Sequence, residues 1–188
     1  HNGRAAPAGP PSARQLNAAL TVGRLWDPVK NAEVLDRAAA ALDVPLFGAG
    51  ALRGPHGEEF VPAHLQSLGL KSEQEMAELL SQRPVFVSAA AFEPFGLAVL
   101  EAAAAGCALI LSDIPTFREL WDGAALFVDS DNAHGCANAI GALIEDAEHR
   151  SALGEAARER SSGYTPEATA ATMTRMYAQV LAARQVAA

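Results

Sequence analysis

The chain has 188 residues, 50% of them apolar, and carries 14 Lys and Arg against 22 Asp and Glu, a formal net charge of −8. That length and apolar fraction support one good core and therefore one domain. The acidic balance excludes the broad basic face that non-specific binding to nucleic acid or an anionic membrane needs, so any nucleotide site must be local.

Residues 1–15 are rich in Gly, Ala and Pro with no apolar period, the composition of an interdomain linker. Ala19-Leu20-Thr21-Val22 reads as a short buried strand, followed by Gly23 and a polar turn from Arg24 to Lys30. A helix comes next, because Val34, Leu35, Ala38, Ala41 and Leu42 make one stripe of a 3.6-residue period. Further strands are expected at 44–47, 64–68, 85–87, 109–111 and 126–128, with a Gly/Pro loop over 51–63. Ser72 with Glu75 predicts a capping box for a helix carrying Met76, Leu79 and Leu80, and Thr116 with Glu119 predicts a second for a short helix through Trp121. Asp131 or Asn132 caps a helix with the stripe Cys136, Ile140, Leu143 and Ile144. One more helix spans about 149–161, and the last opens with Thr165 as N-cap and Pro166 in its first turn, carrying Met173, Met176, Tyr177, Val180 and Leu181.

The two cysteines, Cys107 and Cys136, lack Cys-x-x-Cys spacing and read as core thiols in a reducing compartment. No apolar run reaches the ~18 residues that span a bilayer. A cytoplasmic protein is expected, with peripheral contact at the inner face of a membrane, through another domain, left open.

Short apolar strands without alternation, each followed by a helix, predict an α/β fold: a Rossmann-like parallel sheet of about six strands with helices on both faces. Residues 16–165 form this domain and 166–188 a separate C-terminal helix. Ligands of such sheets bind at the carboxyl ends of strands, where Gly23-Arg24, Gly48, Glu93, Gly96 and Asp113 all fall.

The stretch from Phe92 to Glu101 is the richest in chemistry. Glu93 and Glu101 stand eight positions apart across an apolar segment, and Pro94 and Gly96 mark the approach to a helix that ends near Gly106. Free N–H groups and about half a positive charge gather at such a helix start, and a glycine lets an anion come close, so a phosphate is the natural guest. Glu101 lies about 7.5 Å further along the axis, where its two oxygens suit the hydroxyls of a ribose. Arg24 and Lys30 supply cations after the first strand, in a chain whose only lysines are Lys30 and Lys71. An ordinary reading stands beside each: solvated turn charges for Arg24 and Lys30, a loop acid for Glu93, a surface position for Glu101. Three patterns carry no site. Gly48-x-Gly50 lacks the third glycine of a dinucleotide fingerprint. Asp129-Ser130-Asp131 sits where a helix cap is needed, and His56, Glu58, Glu59 and His64 span a Gly/Pro loop without fixed metal geometry.

Val22-Gly23-Arg24-Leu25 with Lys30-Asn31, Ser67-Leu68-Gly69-Leu70, Glu93-Pro94-Phe95-Gly96-Leu97 through Glu101, and Ser112-Asp113-Ile114-Pro115 with Glu119, in this order, resemble the C-terminal half of a retaining family 4 glycosyltransferase of the two-domain B type. The resemblance spans nearly the whole chain, and His1-Asn2-Gly3 resembles the opening of the family's interdomain crossover. It implies an N-terminal half beyond these residues, toward which the last helix packs back. It also implies a nucleoside-diphosphate sugar as donor, with no cofactor and no metal. Arg24 and Lys30 would hold the diphosphate with N–H groups at Gly96 and Leu97; Gly23 and Phe95 belong to the same donor motifs. Leu70 would lie beside the base, Glu101 would bind the ribose, and Glu93 would contact the transferred sugar. The acceptor, whether sugar, lipid or small molecule, would be held by the other half. A nucleotide-sugar epimerase of related fold and a non-enzymatic α/β nucleotide-binding module are the alternatives.

Overall fold

A computed structural model describes Gly3 and residues 15–186, without the side chains of 182–186. The linker reading of 1–15 and the His1-Asn2-Gly3 resemblance fall almost wholly outside the described residues.

Strands β1 (Ala19–Val22), β2 (Leu46–Ala49), β3 (Gln66–Gly69), β4 (Val85–Ser88), β5 (Leu109–Ser112) and β6 (Leu126–Val128) form one parallel sheet in the order β3-β2-β1-β4-β5-β6. The helices are α1 (Ala32–Ala39), α2 (Glu73–Ser81), α3 (Leu97–Ala104), α4 (Pro115–Trp121), α5 (Ala133–Glu145), α6 (Ala147–Ser161) and α7 (Pro166–Val186). Alternate residues of the inner strands feed two cores, which is why those strands are largely apolar, whereas the edge strand β3 opens with exposed Gln66 and Ser67. Ala19, Val85, Val87 and Ile110 pack with Leu35 of α1 and Ile140 of α5. Leu20, Phe86, Leu109 and Leu111 pack with Leu80 of α2, Leu100 of α3, Trp121 of α4 and Ala157 of α6. The expected α/β sheet covered on both faces is therefore present. Its winding reverses between β1 and β4, paired Ala19 with Val85 and Leu20 with Phe86, and the carboxyl ends of these two strands flank the crevice that such a reversal opens.

Local chemistry decides where elements begin. The Ser72 capping box forms: the Glu75 N–H donates to Ser72 Oγ at 3.3 Å, and the Ser72 N–H donates to the Glu75 carboxylate at 2.8 Å. The second predicted box does not. Pro115, with its φ pre-set and no N–H to satisfy, takes the first helical position, so Ile114 is the N-cap and Thr116 lies inside α4. Asn132 rather than Asp131 caps α5, accepting from the Gly135 N–H at 2.8 Å, and Thr165 caps α7 as expected, accepting from Ala168 at 3.1 Å. Strand β2 starts two residues later than predicted, because Pro45 has no N–H to donate to a ladder. Both cysteines are free and buried, and burial pushes each thiol up to about 12, so both stay protonated and unreactive.

Two polar anchors hold the loops that the pattern left blank. Arg150, only 2% exposed, donates to the carbonyls of Leu16 at 2.6 Å and Arg83 at 2.5 Å, fastening α6 behind the starts of β1 and β4. Asp36 Oδ1 accepts the N–H groups of Ala63, His64 and Leu65 at 3.0, 2.8 and 2.8 Å, pinning the end of the 51–63 loop to α1. Partial burial works to raise the Asp36 pKa, but the three backbone donors and the nearby His64 outweigh it and hold the carboxyl below its ordinary value.

Because that pKa is lower in the folded than in the unfolded chain, the contribution of Asp36 is full above the ordinary carboxylate value and is lost as pH falls through the folded one. Asp36→Ala, which keeps helix propensity, should cost about 1–3 kcal/mol of unfolding free energy at neutral pH. Urea titrations should show the gap between variant and parent closing below about pH 4; a gap independent of pH would remove the charged anchor from the account.

Candidate functional site

The site is built from two loops that meet across the β1–β4 reversal. Leaving β1, the chain passes Gly23 and Arg24 into a 3-10 turn over Pro28–Lys30. Asp27 organises this turn: one carboxylate oxygen accepts the Val29 N–H at 3.1 Å, and the other accepts from Arg24 Nη2 at 2.7 Å. The Arg24 guanidinium also lies 5.5 Å from the Trp26 ring centre, and its side chain is 64% exposed at the lip of the crevice. Asn31 closes the turn in the left-handed conformation, φ 57°, which Asn tolerates better than most side chains, and its Nδ2 donates to the Ser130 carbonyl at 2.6 Å. Lys30 is thus fixed at the end of a braced turn.

Leaving β4, the second loop is tied down twice. The Ala91 N–H donates to the Val29 carbonyl at 2.9 Å, and buried Ser112 donates its hydroxyl to the Ala90 carbonyl at 2.5 Å. Glu93 then meets Lys30, whose Nζ donates to Oε2 at 2.5 Å, while Oε1 accepts the Gly96 N–H at 3.1 Å. The two side chains are only 23% and 17% exposed. One carboxylate therefore bridges a lysine ammonium and the start of α3. Gly96 has φ +86°, and a Cβ there would lie 3.2 Å from both Phe117 and Val99, so the position demands glycine on two counts.

The structure brings Lys30, Glu93 and Gly96 together, with Gly23 beside the Lys30 side chain and Leu97 as the 42% exposed first residue of α3, while the Arg24 side chain is engaged by Asp27 and lies near Trp26. Glu101 sits one turn further along α3, partly exposed. Leu70 follows β3, two strands from β1 on the same edge, and is 79% exposed. Phe95, named above with the donor motifs, has its side chain in the core. Its ring is 8% exposed and packs edge-on to Tyr164 at 5.7 Å, because an aromatic residue next to the Gly96 bend fills the core under α3 more favourably than it faces water. Asp113, at the end of β5, spends both oxygens on Arg118 at 2.7 and 2.8 Å, which holds its carboxyl below the usual range. Gly50 serves backbone packing: with φ +144°, a Cβ there would come within 1.7 Å of the Gly23 carbonyl oxygen. Among the described residues, no group of three or more His, Cys, Asp or Glu side chains converges on a possible metal position. Glu59 pairs with Arg53 at 2.8 Å, and Glu58 accepts the His56 N–H at 3.1 Å.

Asp27 and Asn31 brace this turn, a part that the sequence analysis did not give to either of them. Asp27 had a signal, since Asp before Pro is the signature of a capped turn. Asn31 had none of its own, because its partner Ser130 is 99 positions away. Chemically, an ammonium and an N–H at a helix start converge on one carboxylate, the arrangement that holds an anion, and a guanidinium lies exposed in the same loop as the lysine. None of the described helices is long and apolar enough to cross a membrane.

Comparison with known proteins agrees with this architecture. The family model described as "Glycosyl transferases group 1" matches residues 9–160. The phosphatidyl-myo-inositol mannosyltransferase of Mycolicibacterium smegmatis is 31% identical over 180 residues, which is 89% of this chain and 46% of that protein. Among solved structures, sucrose-phosphate synthase from Thermosynechococcus elongatus superimposes with TM-score 0.78 at 26% identity, over 92% of this chain and 47% of that one. Anabaena HepE in complex with UDP-glucose shares the fold, with TM-score 0.71 at 20% identity, over 88% of this chain and 48% of that one. The chain thus spans just under half the length of these relatives. With four-fifths of its length under one family model, it belongs to the glycosyl transferases group 1 family.

Proposed function

We propose that this chain is the C-terminal, donor-binding half of a metal-independent, retaining family 4 glycosyltransferase that moves a sugar from a nucleoside diphosphate to an acceptor held by the other half. The observation that carries the reading is the cradle at the β1–β4 reversal, where Lys30 and the Gly96 N–H already hold one anionic group between them. Arg24, Lys30 and the first N–H groups of α3 receive the diphosphate, Glu101 takes the ribose hydroxyls, and Leu70 offers an apolar surface to the base. Glu93 contacts the sugar being transferred. As the bond between the anomeric carbon and the phosphate oxygen breaks, negative charge grows on that oxygen. Fixed cations and N–H groups beside it lower the barrier without reorganising. The UDP-glucose bound by the HepE relative makes a nucleotide sugar of this kind a natural donor.

The distribution of exposed apolar side chains supports a second wall. Among the described residues, the large exposed ones are Val29, Leu70, Phe92 and Leu97, on loops or helix starts at the carboxyl edge of the sheet, Val61 in the loop before β3, and Met173, Met176, Tyr177, Val180 and Leu181 of α7. Exposed apolar surface gathered in two places, rather than scattered, marks where another body docks. In this reading the edge faces the acceptor-binding half and α7 crosses to it. The full enzyme is cytoplasmic, and a lipid acceptor like the one in the name of the M. smegmatis relative would bring it to the inner face of a membrane.

Lys30→Ala or Arg24→Ala in the full-length enzyme should lower turnover by about a hundredfold, the scale of removing one stabiliser of transition-state charge. Rates like the parent's in both variants would overturn the assignment. Glu101→Gln should weaken the preferred ribonucleoside diphosphate, chosen from UDP, GDP and ADP by calorimetry, by about 1.5–3 kcal/mol, and its 2′-deoxy analogue much less; equal losses would place Glu101 outside the ribose subsite. Residues 1–188 alone should bind the diphosphate but transfer no sugar, and acceptor-dependent turnover by this chain would show that it is not half of an enzyme.

A further inference from the structure

We infer that the Glu93 carboxylate is an internal competitor for the phosphate cradle: it takes the place of a phosphoryl group, must swing out when a nucleoside diphosphate enters, and returns to help the product leave. The inference rests on the donor-binding reading above and adds a property which that reading does not require.

The geometry asks for such an exchange. Lys30 Nζ and the Gly96 N–H, the donors best placed for a phosphate, are both engaged by one carboxylate, at 2.5 and 3.1 Å. A carboxylate has the charge and the paired acceptor oxygens to stand in for one face of a phosphoryl group. The pair is four-fifths removed from solvent, so an ammonium left there without a counter-charge would be costly. Glu93 removes that cost in the empty state. A diphosphate brings more charge and more acceptors than the carboxylate and so wins the cradle, but its net gain is the difference between two anions rather than the whole of its attraction to Lys30. The backbone around the exchange stays put, because Ala91 is bonded to Val29, Ser112 to Ala90 and Asn31 to Ser130, leaving the Glu93 side chain as the part free to turn. The displaced carboxylate is then on the loop that borders the transferred sugar, so one rotation both admits the diphosphate and delivers an acid to the sugar's side. When the sugar has gone, the same carboxylate re-enters and helps to expel the spent nucleotide.

The test measures binding of UDP, GDP and inorganic pyrophosphate to this chain by calorimetry, in the parent, Glu93→Gln, Glu93→Ala, Lys30→Ala and the Lys30→Ala/Glu93→Gln double variant, with thermal unfolding as the check on folding. Removing the competing charge should tighten the nucleoside diphosphate by about tenfold in both Glu93 variants, the worth of one charge-assisted hydrogen bond. Lys30→Ala should weaken it, and in the double variant the gain from Glu93→Gln should vanish, since there is no longer an ammonium to compete for. If Lys30→Ala weakens binding while both Glu93 variants bind as the parent does or more weakly, the competitor role is overturned and the donor site stands. If neither nucleoside diphosphate binds the parent or any variant, the site and the competitor role fall together.

Discussion

The reversal of winding between β1 and β4 is the constraint from which the rest follows. Helices on either side of it pack against opposite faces of the sheet, α1 on the core that includes Ala19 and Val85, α3 on the core that includes Leu20 and Phe86. The loops leading to them must therefore diverge, and no helix can cover the gap. A crevice at that point is a topological by-product of burying both faces. The chain has filled its walls with the groups that such a gap can use: a cation from one loop, and an acid and a bare helix start from the other.

Holding those groups close has an electrostatic cost that the surroundings offset. Lys30, Glu93 and the Gly96 N–H satisfy one another in a setting where water reaches only a fifth of the side-chain surface. Asp27 does the same for Arg24 at the lip. Neither partnership is a metal-like clamp, and each can be exchanged for a guest with better charge and more acceptors. The rigid part is the backbone, cross-linked between loops by Ala91 to Val29 and Asn31 to Ser130. The arrangement is pre-organised in its donors and adaptable in its acceptor, which suits the exchange of one anion for another proposed above.

How much of this the sequence disclosed depended on the range of the interaction. The inner strands were legible because a stretch such as Leu109-Ile110-Leu111 is apolar on both sides, and each strand lies within one residue of its expected place except β2, delayed two residues by Pro45, and β3, which starts two residues late because the N–H groups of His64 and Leu65 go to Asp36. The Ser72 cap and the Asn132 cap were legible because their partners lie three residues on. Thr116 misled because Pro115 outranks a hydroxyl at a helix start. The residues of the crevice could be nominated from strand ends, but not their partnership: Lys30 and Glu93 are 63 positions apart, and nothing in either neighbourhood says that one neutralises the other. The burial of the Phe95 ring was hidden for a related reason. Its position beside the glycine bend is local information, whereas its packing on Tyr164 from the far end of the domain is not. The anchoring of 51–63 by Asp36 was silent too, because an aspartate on a helix looks like any solvated charge until the loop arrives.

Arg150 has a bearing on how this domain can be dissected. Its guanidinium reaches from α6 to the carbonyls just ahead of β1 and β4, and the Leu16 N–H donates to Gln82 at 2.7 Å alongside it. The amino ends of the two strands that frame the crevice are thus gauged from behind by a helix that contributes nothing to the crevice itself. A shortened protein that keeps every strand and every residue of the cradle, but stops before α6, would lose both Arg150 ties to the backbone and bare the second core around Ala157. The smallest piece that preserves the cradle's dimensions is therefore set by the reach of one arginine side chain and runs through Ser161, well past the last residue that a ligand would touch.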